Sequence, residues 1–199
     1  MTGTTDAAAE PAEPGGATEP GGPRVLFVCT ANISRSPFAE HAARELLARQ
    51  GLTVEVASAG THGWDAHPVD GDMAGELAAR DLDHTGFRSR RLLGRHVQEA
   101  DLVLTMEAAQ RTFVLREWPA AVRRVYTLGQ LARALPSVDD ALTGPALLKE
   151  VRRTQPAARS EDDVVDPYGR GLEAAASAAG QIEKLLARIV PALPRVSAS

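Results

Sequence analysis

The stretch from Val25 to Pro37, with the sequence Val-Leu-Phe-Val-Cys-Thr-Ala-Asn-Ile-Ser-Arg-Ser-Pro, decides the fold and most of the chemistry. Its apolar start is typical of a buried strand, which stops at Cys29, the only cysteine of the chain. Five small or polar residues follow, and Pro37 is a residue type favoured in the first turn of a helix. A tight loop between a strand and a helix directs backbone N–H groups and the helix dipole at one place, which favours an anion of phosphate size. The stretch therefore predicts an anion site that contains a thiol.

The thiol of Cys29 is the candidate nucleophile, because amide N–H groups, a helix N-terminus and a nearby guanidinium all favour the reactive thiolate. Arg35 supplies a planar fork that can hold two oxygens of a phosphoryl group. Ser36 can donate a hydrogen bond to the sulfur, and Asn32 tolerates the left-handed backbone that a tight loop often needs. The loop residues expected to surround the anion are Thr30, Ala31, Asn32, Ile33 and Ser34. Judged by itself, a lone cysteine is more often a small buried hydrophobe, and that alternative stays open at this point.

The composition is that of one globular domain, with 199 residues, 44% hydrophobic and 24% charged. Residues 1–23 hold no aromatic or basic residue, so we predict a disordered N-terminal tail there and one folded domain over 24–199. Four of the 26 acidic and none of the 22 basic residues lie in that tail. The predicted domain over 24–199 therefore has 22 of each and a net charge of zero. A domain without net charge gives no electrostatic reason to expect a nucleic acid or a membrane as partner. The single cysteine and the lack of a signal-like start predict a cytoplasmic protein with no disulfide.

Short apolar runs alternate with segments of helical periodicity along the chain. Strands are predicted at 24–28, 54–57, 100–106 and 124–128. Helices or helical turns are predicted at 36–50, 73–81, 107–118, 129–135, 146–153 and 172–193. The last helix is expected to bury Ile182, Leu185, Leu186, Ile189 and Val190. This alternation predicts an open parallel sheet covered by helices on both faces, in which sites lie at the carboxyl ends of strands, where Cys29 falls.

The chain resembles the low-molecular-weight protein tyrosine phosphatase family, whose signature Cys-x5-Arg-Ser lies near the start of the sequence. The resemblance runs from Arg24 to about Leu193. Its motifs, in chain order, are Phe27-Val28-Cys29, Asn32, Arg35-Ser36-Pro37 with Ala39-Glu40, Ser58-Ala59-Gly60-Thr61, Trp64, the run 100–106, and Asp166-Pro167-Tyr168. The resemblance implies a three-layer α/β fold of flavodoxin-like topology with an open four-stranded parallel sheet. It also implies a phosphocysteine intermediate, no cofactor and no metal.

The remaining site residues are assigned by the same resemblance. Asp166 is expected to act as general acid and base, giving a proton to the leaving oxygen and later taking one from water. Trp64 and Tyr168 are expected to form flat walls for an aromatic ring. Ser58 is expected to hydrogen-bond Asn32 and so support the loop. Without the resemblance, an Asp-Pro pair usually marks a turn, and a tryptophan in a loop is usually a packing residue.

Several histidines and arginines lie outside these motifs. His62 and His67 flank Trp64 and are candidates for the edge of the pocket, whereas His84 and His96 lack the spacing of metal ligands. Four arginines form a basic cluster: Arg88, Arg90, Arg91 and Arg95. We interpret this cluster as a solvent-exposed face, and docking of an acidic partner is the alternative.

The sequence departs from the family pattern in three places. Ser34 stands where many relatives carry a second cysteine, so the protective disulfide of those relatives cannot form. Gly169 and Arg170 follow Tyr168 where many relatives have a second aromatic residue, which suggests a more open rim. Residues 136–160 look longer than usual and are a candidate for altering access to the site.

The predicted function is hydrolysis of phosphotyrosine, on a tyrosine-phosphorylated protein or a small aryl phosphate. A tyrosine kinase of exopolysaccharide export is the partner that the family leads us to expect. One alternative is an arsenate reductase that uses a small-molecule thiol, since a relay of protein thiols would need further cysteines. The other alternative is a catalytically silent module that binds anions or serves regulation.

Overall fold

A four-stranded, fully parallel sheet forms the centre of the computed structural model, which describes residues 22–154 and 157–196. The strands are β1 (Arg24–Cys29), β2 (Glu55–Gly60), β3 (Leu102–Thr105) and β4 (Val125–Thr127), in the spatial order β2-β1-β3-β4. β1 is central, with Cys29 opposite Gly60 of β2 and Val28 opposite Thr105 of β3. The predicted fold class is confirmed. The tail predicted at 1–23 lies, except for its last two residues, outside the described part of the chain.

Helices cover both faces of the sheet. The described residues form α1 (Arg35–Gln50), α2 (Gly71–Ala78), α3 (Gly94–Glu99), α4 (Ala108–Glu117), α5 (Leu128–Ala134), α6 (Gly144–Thr154) and α7 (Leu172–Ile189). Alternate side chains of β1 point to opposite faces, so Phe27 and Cys29 join a core with α1, α2, α5, α6 and α7. Leu26 and Val28 join a second, smaller core with α3 and α4. Among these helices, none combines the length and the hydropathy that a bilayer crossing requires.

The helix ends follow local chemistry. α1 stops at Gly51, as predicted, with a left-handed φ of 65° that glycine adopts without strain. The final α-helix ends at Ile189, earlier than predicted, and a 3₁₀ helix continues over Val190–Arg195, because prolines there cannot donate helical hydrogen bonds. The expected buried side of that helix is confirmed: Ile182, Leu186, Ile189 and Val190 are buried, and Leu185 is partly buried and packs against the same core. The six-residue α3 was not predicted, because it is too short to show a period.

The described part of the segment 136–160 packs against β4. Its helix α6 buries Leu147 and Val151 in the larger core. The hydroxyl of Tyr126 in β4 lies 2.9 Å from the carbonyl oxygen of Leu148 and 3.0 Å from that of Arg123, so one phenol ties this segment to the chain before the strand.

Candidate active site

The loop after β1 is held from outside by the chain that follows β2. Four backbone N–H groups of residues 61–70 donate to loop carbonyls: Thr61 to Cys29 at 3.0 Å, His62 to Thr30 at 2.9 Å, Trp64 to Ala31 at 3.4 Å and Asp70 to Ile33 at 2.7 Å. In a trans peptide, the N–H points away from the C=O of the same unit. The loop carbonyls therefore face outward and its N–H groups are left to face inward, which is the arrangement that an anion site needs.

The sulfur of Cys29 is buried and accepts two hydrogen bonds. The Ser36 hydroxyl donates to Sγ at 3.0 Å, and the backbone N–H of Asn32 donates to it at 3.2 Å. Asn32 has a φ of 59°, the left-handed conformation that asparagine tolerates better than most residues. One side-chain donor and one backbone donor therefore hold the sulfur in a fixed position at the base of the loop.

The side chain of Asn32 is fully buried and holds the loop in shape. Its Nδ2 donates to Ser36 Oγ at 2.9 Å and to Ser58 Oγ at 2.8 Å, and Ser58 in turn donates to Glu40 Oε2 at 2.6 Å. The hydrogen bond expected between Ser58 and Asn32 is thus present. Arg90 adds support that the sequence did not predict. Its backbone N–H donates to Asn32 Oδ1 at 2.9 Å, and its Nε donates to the Ser58 carbonyl at 2.8 Å.

Gly60, the last residue of β2, lies directly against the loop. A Cβ atom at this position would lie 2.6 Å from the carbonyl oxygen of Thr30 and 2.9 Å from the carbonyl carbon of Ala31. The close approach of these two backbones requires glycine at residue 60.

Asp70 also holds the loop, through the N–H bond to Ile33 described above. Its carboxylate accepts from the Met73 N–H at 3.3 Å and caps the N-terminus of α2. Burial raises the pKa of the Asp70 carboxyl above its usual range, more than its hydrogen bonds lower it.

Arg35 is almost completely buried, with 1% of its surface exposed. Its Nη1 donates to the Val164 carbonyl at 2.8 Å and pairs with Glu107, and its Nη2 lies 2.8 Å from Asp166 Oδ2. The buried Nε has no hydrogen-bond partner among the described residues. One face of the guanidinium fork is therefore anchored, and Nε remains a donor for an oxyanion.

Glu107 is a site residue that sequence reasoning missed. It follows the end of β3, at the same sheet edge as the thiol, and that position is the signal that could have identified it. Gln110 fixes the backbone here, because its Oε1 accepts from the N–H groups of Met106 and Glu107, both at 3.0 Å. The Nε2 of Gln110 reaches Thr30 Oγ1 at 3.2 Å, which joins this turn to the loop.

Asp166 reaches the site because the preceding segment docks at the end of β3. The Val164 N–H donates to the Met106 carbonyl at 2.8 Å, and the Val164 carbonyl receives Arg35. Asp166 Oδ1 accepts from the Tyr168 N–H at 3.2 Å, which places the aromatic residue beside the carboxylate.

The two neighbouring aspartates lie elsewhere. Asp162 is paired with Arg133 at 2.6 Å; burial pushes the pKa of Asp162 up, but the hydrogen bonds and charge of Arg133 and Arg159 hold it below its usual range. Asp163 accepts from the Ala108 N–H at 2.8 Å, at the start of α4. Of the three nearby aspartates, Asp166 alone contacts Arg35.

A cavity of about 230 Å³ opens above the sulfur. Its lining consists of Cys29, Thr30, Ala31, Ile33, Ser34, Arg35, His62, Trp64, Asp166 and Tyr168. The rings of Trp64 and Tyr168 meet edge to face, with centroids 6.3 Å apart. His62 lines the cavity and packs against Phe113 at 5.3 Å, whereas His67 packs against Trp64 at 5.3 Å without lining it.

The structure separates the predicted site residues into two groups. The thiol, the guanidinium, the Asp166 carboxylate and the two aromatic walls share the cavity. Asn32, Ser36 and Ser58 are buried behind it and act on the loop or the sulfur. None of the lining residues comes from 136–154 or 157–160, so these described parts of the segment do not border the cavity. Within the described ranges, no cluster of three acidic, histidine or cysteine side chains has the geometry of a metal site.

Comparison with known proteins identifies relatives of this arrangement. A family model described as low molecular weight phosphotyrosine protein phosphatase matches residues 24–145. The probable low molecular weight protein-tyrosine-phosphatase EpsP of Ralstonia nicotianae is 35% identical over 108 residues, 54% of this chain and 71% of that protein. A protein-arginine-phosphatase of Geobacillus stearothermophilus is 28% identical over 174 residues, 85% of this chain and 95% of that protein. The low molecular weight protein tyrosine phosphatase structure from T. tengcongensis matches with a TM-score of 0.69 at 24% identity, covering 86% of this chain and 99% of that one.

These matches define the chain as a cysteine-dependent protein-tyrosine phosphatase. More closely, it belongs to the low molecular weight phosphotyrosine protein phosphatase family. The family, the fold and the enzyme class predicted from the sequence are confirmed.

Proposed function

We propose that the domain over 24–199 hydrolyses phosphotyrosine by direct attack of the Cys29 sulfur on phosphorus. The observation that carries this proposal is the pair of donors on Sγ, from Ser36 and the Asn32 amide, inside the loop that ends at buried Arg35. The loop amides, the N-terminus of the 16-residue helix α1 and the Arg35 fork would together hold the phosphoryl oxygens.

The reaction proceeds in two displacements. In the first, an S–P bond forms as the bond from phosphorus to the tyrosine oxygen breaks, and Asp166 gives its proton to that oxygen. In the second, Asp166 takes a proton from water as the water oxygen attacks phosphocysteine. Phosphate then leaves, and the thiolate is regenerated with its two hydrogen bonds. No electron is transferred in either step.

The cavity favours an aryl substrate. Trp64, Tyr168 and Ile33 present apolar surface above the sulfur, in a space that accommodates one ring. The relative from Geobacillus is named a protein-arginine-phosphatase, so phosphoarginine is the second candidate substrate. A phosphoarginine substrate carries a guanidinium group, which is held best by carboxylates that pair with it. Asp166 is the sole carboxylate in this lining, so a phosphoarginine side chain would find no second carboxylate there, which favours phosphotyrosine.

We propose a cytoplasmic enzyme whose substrate is a tyrosine-phosphorylated protein, and a bacterial tyrosine kinase is the partner class that the family suggests. Reduction of arsenate with a small-molecule thiol would use the same sulfur and oxyanion loop, so it is tested in parallel.

The decisive experiment compares para-nitrophenyl phosphate, a phosphotyrosine peptide and a phosphoarginine peptide in the presence of a chelator. We expect turnover of the first two, and no turnover by Cys29→Ser, which still binds vanadate. Undiminished turnover after iodoacetate has capped the thiol would refute the mechanism. A higher kcat/KM on phosphoarginine, or arsenate reduction with glutathione as the faster reaction, would refute the substrate assignment. No turnover of any ester, with vanadate still bound, would identify a silent anion-binding module.

A further inference from the structure

Arg170 is held against the segment that carries Asp166 into the cavity. Its backbone N–H donates to the Pro167 carbonyl at 2.9 Å and closes a turn in which Gly169 has a φ of 70°. The exposed side chain folds back over this turn, and Nη1 lies 3.5 Å from the backbone carbonyl oxygen of Asp166. No carboxylate pairs with Arg170 among the described residues. An unpaired guanidinium is thus fixed next to a residue of the cavity lining.

His62 supplies a hydrogen-bond donor at another part of the same lining. Its ring packs against Phe113, and Nδ1 lies 3.1 Å from the Thr61 hydroxyl. That hydroxyl belongs to a buried residue and has no other partner in the described part of the chain. It therefore donates to Nδ1 when the ring is neutral, which leaves the ring proton on Nε2. In the charged ring the hydroxyl accepts from Nδ1 instead, so Nε2 is a donor in both states.

The carboxylates of the surrounding elements already have partners within the fold. They are Asp166 and Glu107 with Arg35, Asp65 with the backbone N–H of Arg91, and Glu117 with Arg116. The guanidinium of Arg170 has no such charged partner within the described ranges, and Nε2 of His62 has no partner there at all. Two donors, one of them a full positive charge, are complementary to carboxylates.

When phosphotyrosine occupies the cavity, the substrate residues before and after it lie over the residues that border the cavity. These borders include His62 and the turn that holds Arg170. We propose that Arg170 and His62 select phosphotyrosine whose neighbours in the substrate sequence are Asp or Glu, by donating hydrogen bonds to their carboxylates. This inference rests on the proposed function and specifies its substrate class: a phosphotyrosine in an acidic segment.

The test measures kcat/KM on two phosphotyrosine peptides that differ only in having Glu or Gln on both sides of the phosphotyrosine. The variants are Arg170→Gln, His62→Gln and the two together, and Arg170→Lys keeps the charge. Arg123→Gln is the matched control. Arg123 is exposed and has no carboxylate partner in the described chain, and it precedes β4, at the sheet edge opposite to the loop. Thermal melting of every variant verifies that it folds.

The unaltered enzyme is expected to prefer the Glu-flanked peptide about fivefold in kcat/KM, the scale of exposed charge pairs. Arg170→Gln and His62→Gln should each reduce this preference, and the double variant should abolish it. Arg170→Lys should keep most of it, and Arg123→Gln should keep all of it. Because the preference is a ratio measured within one variant, a general change in activity cancels. Added salt should weaken the preference, since it screens exposed charges.

Equal kcat/KM on the two peptides in the unaltered enzyme would overturn this inference. A preference that survives in the double variant would do the same, and so would one that Arg123→Gln reduces as strongly as Arg170→Gln does. Failure of the proposed function gives a different result, because neither peptide nor para-nitrophenyl phosphate would then be turned over, and the inference would fall with it.

Discussion

The guanidinium of Arg35 and the carboxylate of Asp166 form an ion pair, with Nη2 2.8 Å from Oδ2. Both groups face the cavity, and the guanidinium is the proposed clamp for phosphoryl oxygens. A bound phosphate and Asp166 therefore compete for the same donor. The carboxylate is 46% exposed at its side chain, so the pair can open toward water when an oxyanion arrives.

Replacement of Asp166 by Asn is expected to tighten the binding of inorganic phosphate. The gain is up to about fivefold, because an ion pair with one partner half exposed contributes at most ~1 kcal/mol. Competitive inhibition of para-nitrophenyl phosphate hydrolysis by phosphate measures it. Asp65→Asn is the control, since it removes one negative charge from the neighbouring loop without contacting Arg35. Equal tightening in both variants would mean that net charge, and not the ion pair, is responsible.

The same Asp166→Asn variant is expected to lose roughly 10²- to 10⁴-fold in kcat on phenyl phosphate, the usual contribution of a general acid. The loss should be smallest for dinitrophenyl phosphate, whose leaving group needs no proton. Rates across a series of aryl phosphates provide the measurement. If the loss were the same for every leaving group, Asp166 would not be the proton donor.

Substitution of Arg35 by Lys is expected to be nearly as damaging to kcat/KM as substitution by Ala. An ammonium cannot at once reach Glu107 and the Val164 carbonyl and also present a bidentate fork to phosphate. Steady-state kinetics of the two variants, with Arg88→Lys as a surface control, measure the difference. A fully active Arg35→Lys enzyme would contradict the role given to the planar fork.

Oxidation by peroxide is expected to inactivate the enzyme irreversibly. The reaction converts the Cys29 thiolate to sulfenic acid as peroxide is reduced, and a second equivalent gives sulfinic acid, which dithiothreitol cannot reduce. Ser34 provides no thiol to trap the first product, and the chain has no other cysteine. Residual activity after dithiothreitol and mass spectrometry of the Cys29 peptide report the outcome. A Ser34→Cys variant should recover more activity; full recovery of the unaltered chain would argue against this account.

Tyr126 is expected to make the stability of the fold sensitive to alkaline pH. Burial raises the pKa of Tyr126 to about 12, whereas a tyrosine in the unfolded chain ionises near 10. The contribution of the neutral phenol is therefore complete below about pH 10 and is lost as the pH rises to about 12.

Tyr126→Phe should lower the free energy of unfolding by ~1–3 kcal/mol at neutral pH, because the carbonyls of Leu148 and Arg123 lose their donor. It should also flatten the decline between pH 10 and 12. Urea denaturation over this range measures both effects, with exposed Tyr168→Phe as the control. Parallel curves for the unaltered chain and Tyr126→Phe would contradict the prediction.

The strand, the loop and the start of α1 could be predicted because their signals are local. An apolar run, a tight polar loop and Pro37 lie within thirteen consecutive residues. Asp166 could be predicted only from the order of the family motifs. Its contact with Arg35 joins residues that lie far apart in the sequence, so no local pattern indicates it. The parallel sheet followed from the alternation of segments, since each strand pairs only after an intervening helix.

The supports of the site could not be predicted in this way. Glu107 pairs with a residue 72 positions earlier, and the N–H of Arg90 donates to a residue 58 positions earlier. In the sequence, each resembles an ordinary charged surface residue. The backbone bonds from residues 61–70 depend on how two loops pack at one sheet edge, which a local pattern does not encode.

Gly60 takes no part in the reaction, yet its substitution is expected to inactivate the enzyme. A single methyl group there would press on the Thr30 and Ala31 carbonyls and rotate the peptide units whose opposite faces hold phosphate. Such a mutant would retain every reactive group in its sequence and still be inert. Surveys of natural variants that inspect only the reactive groups would count it as functional.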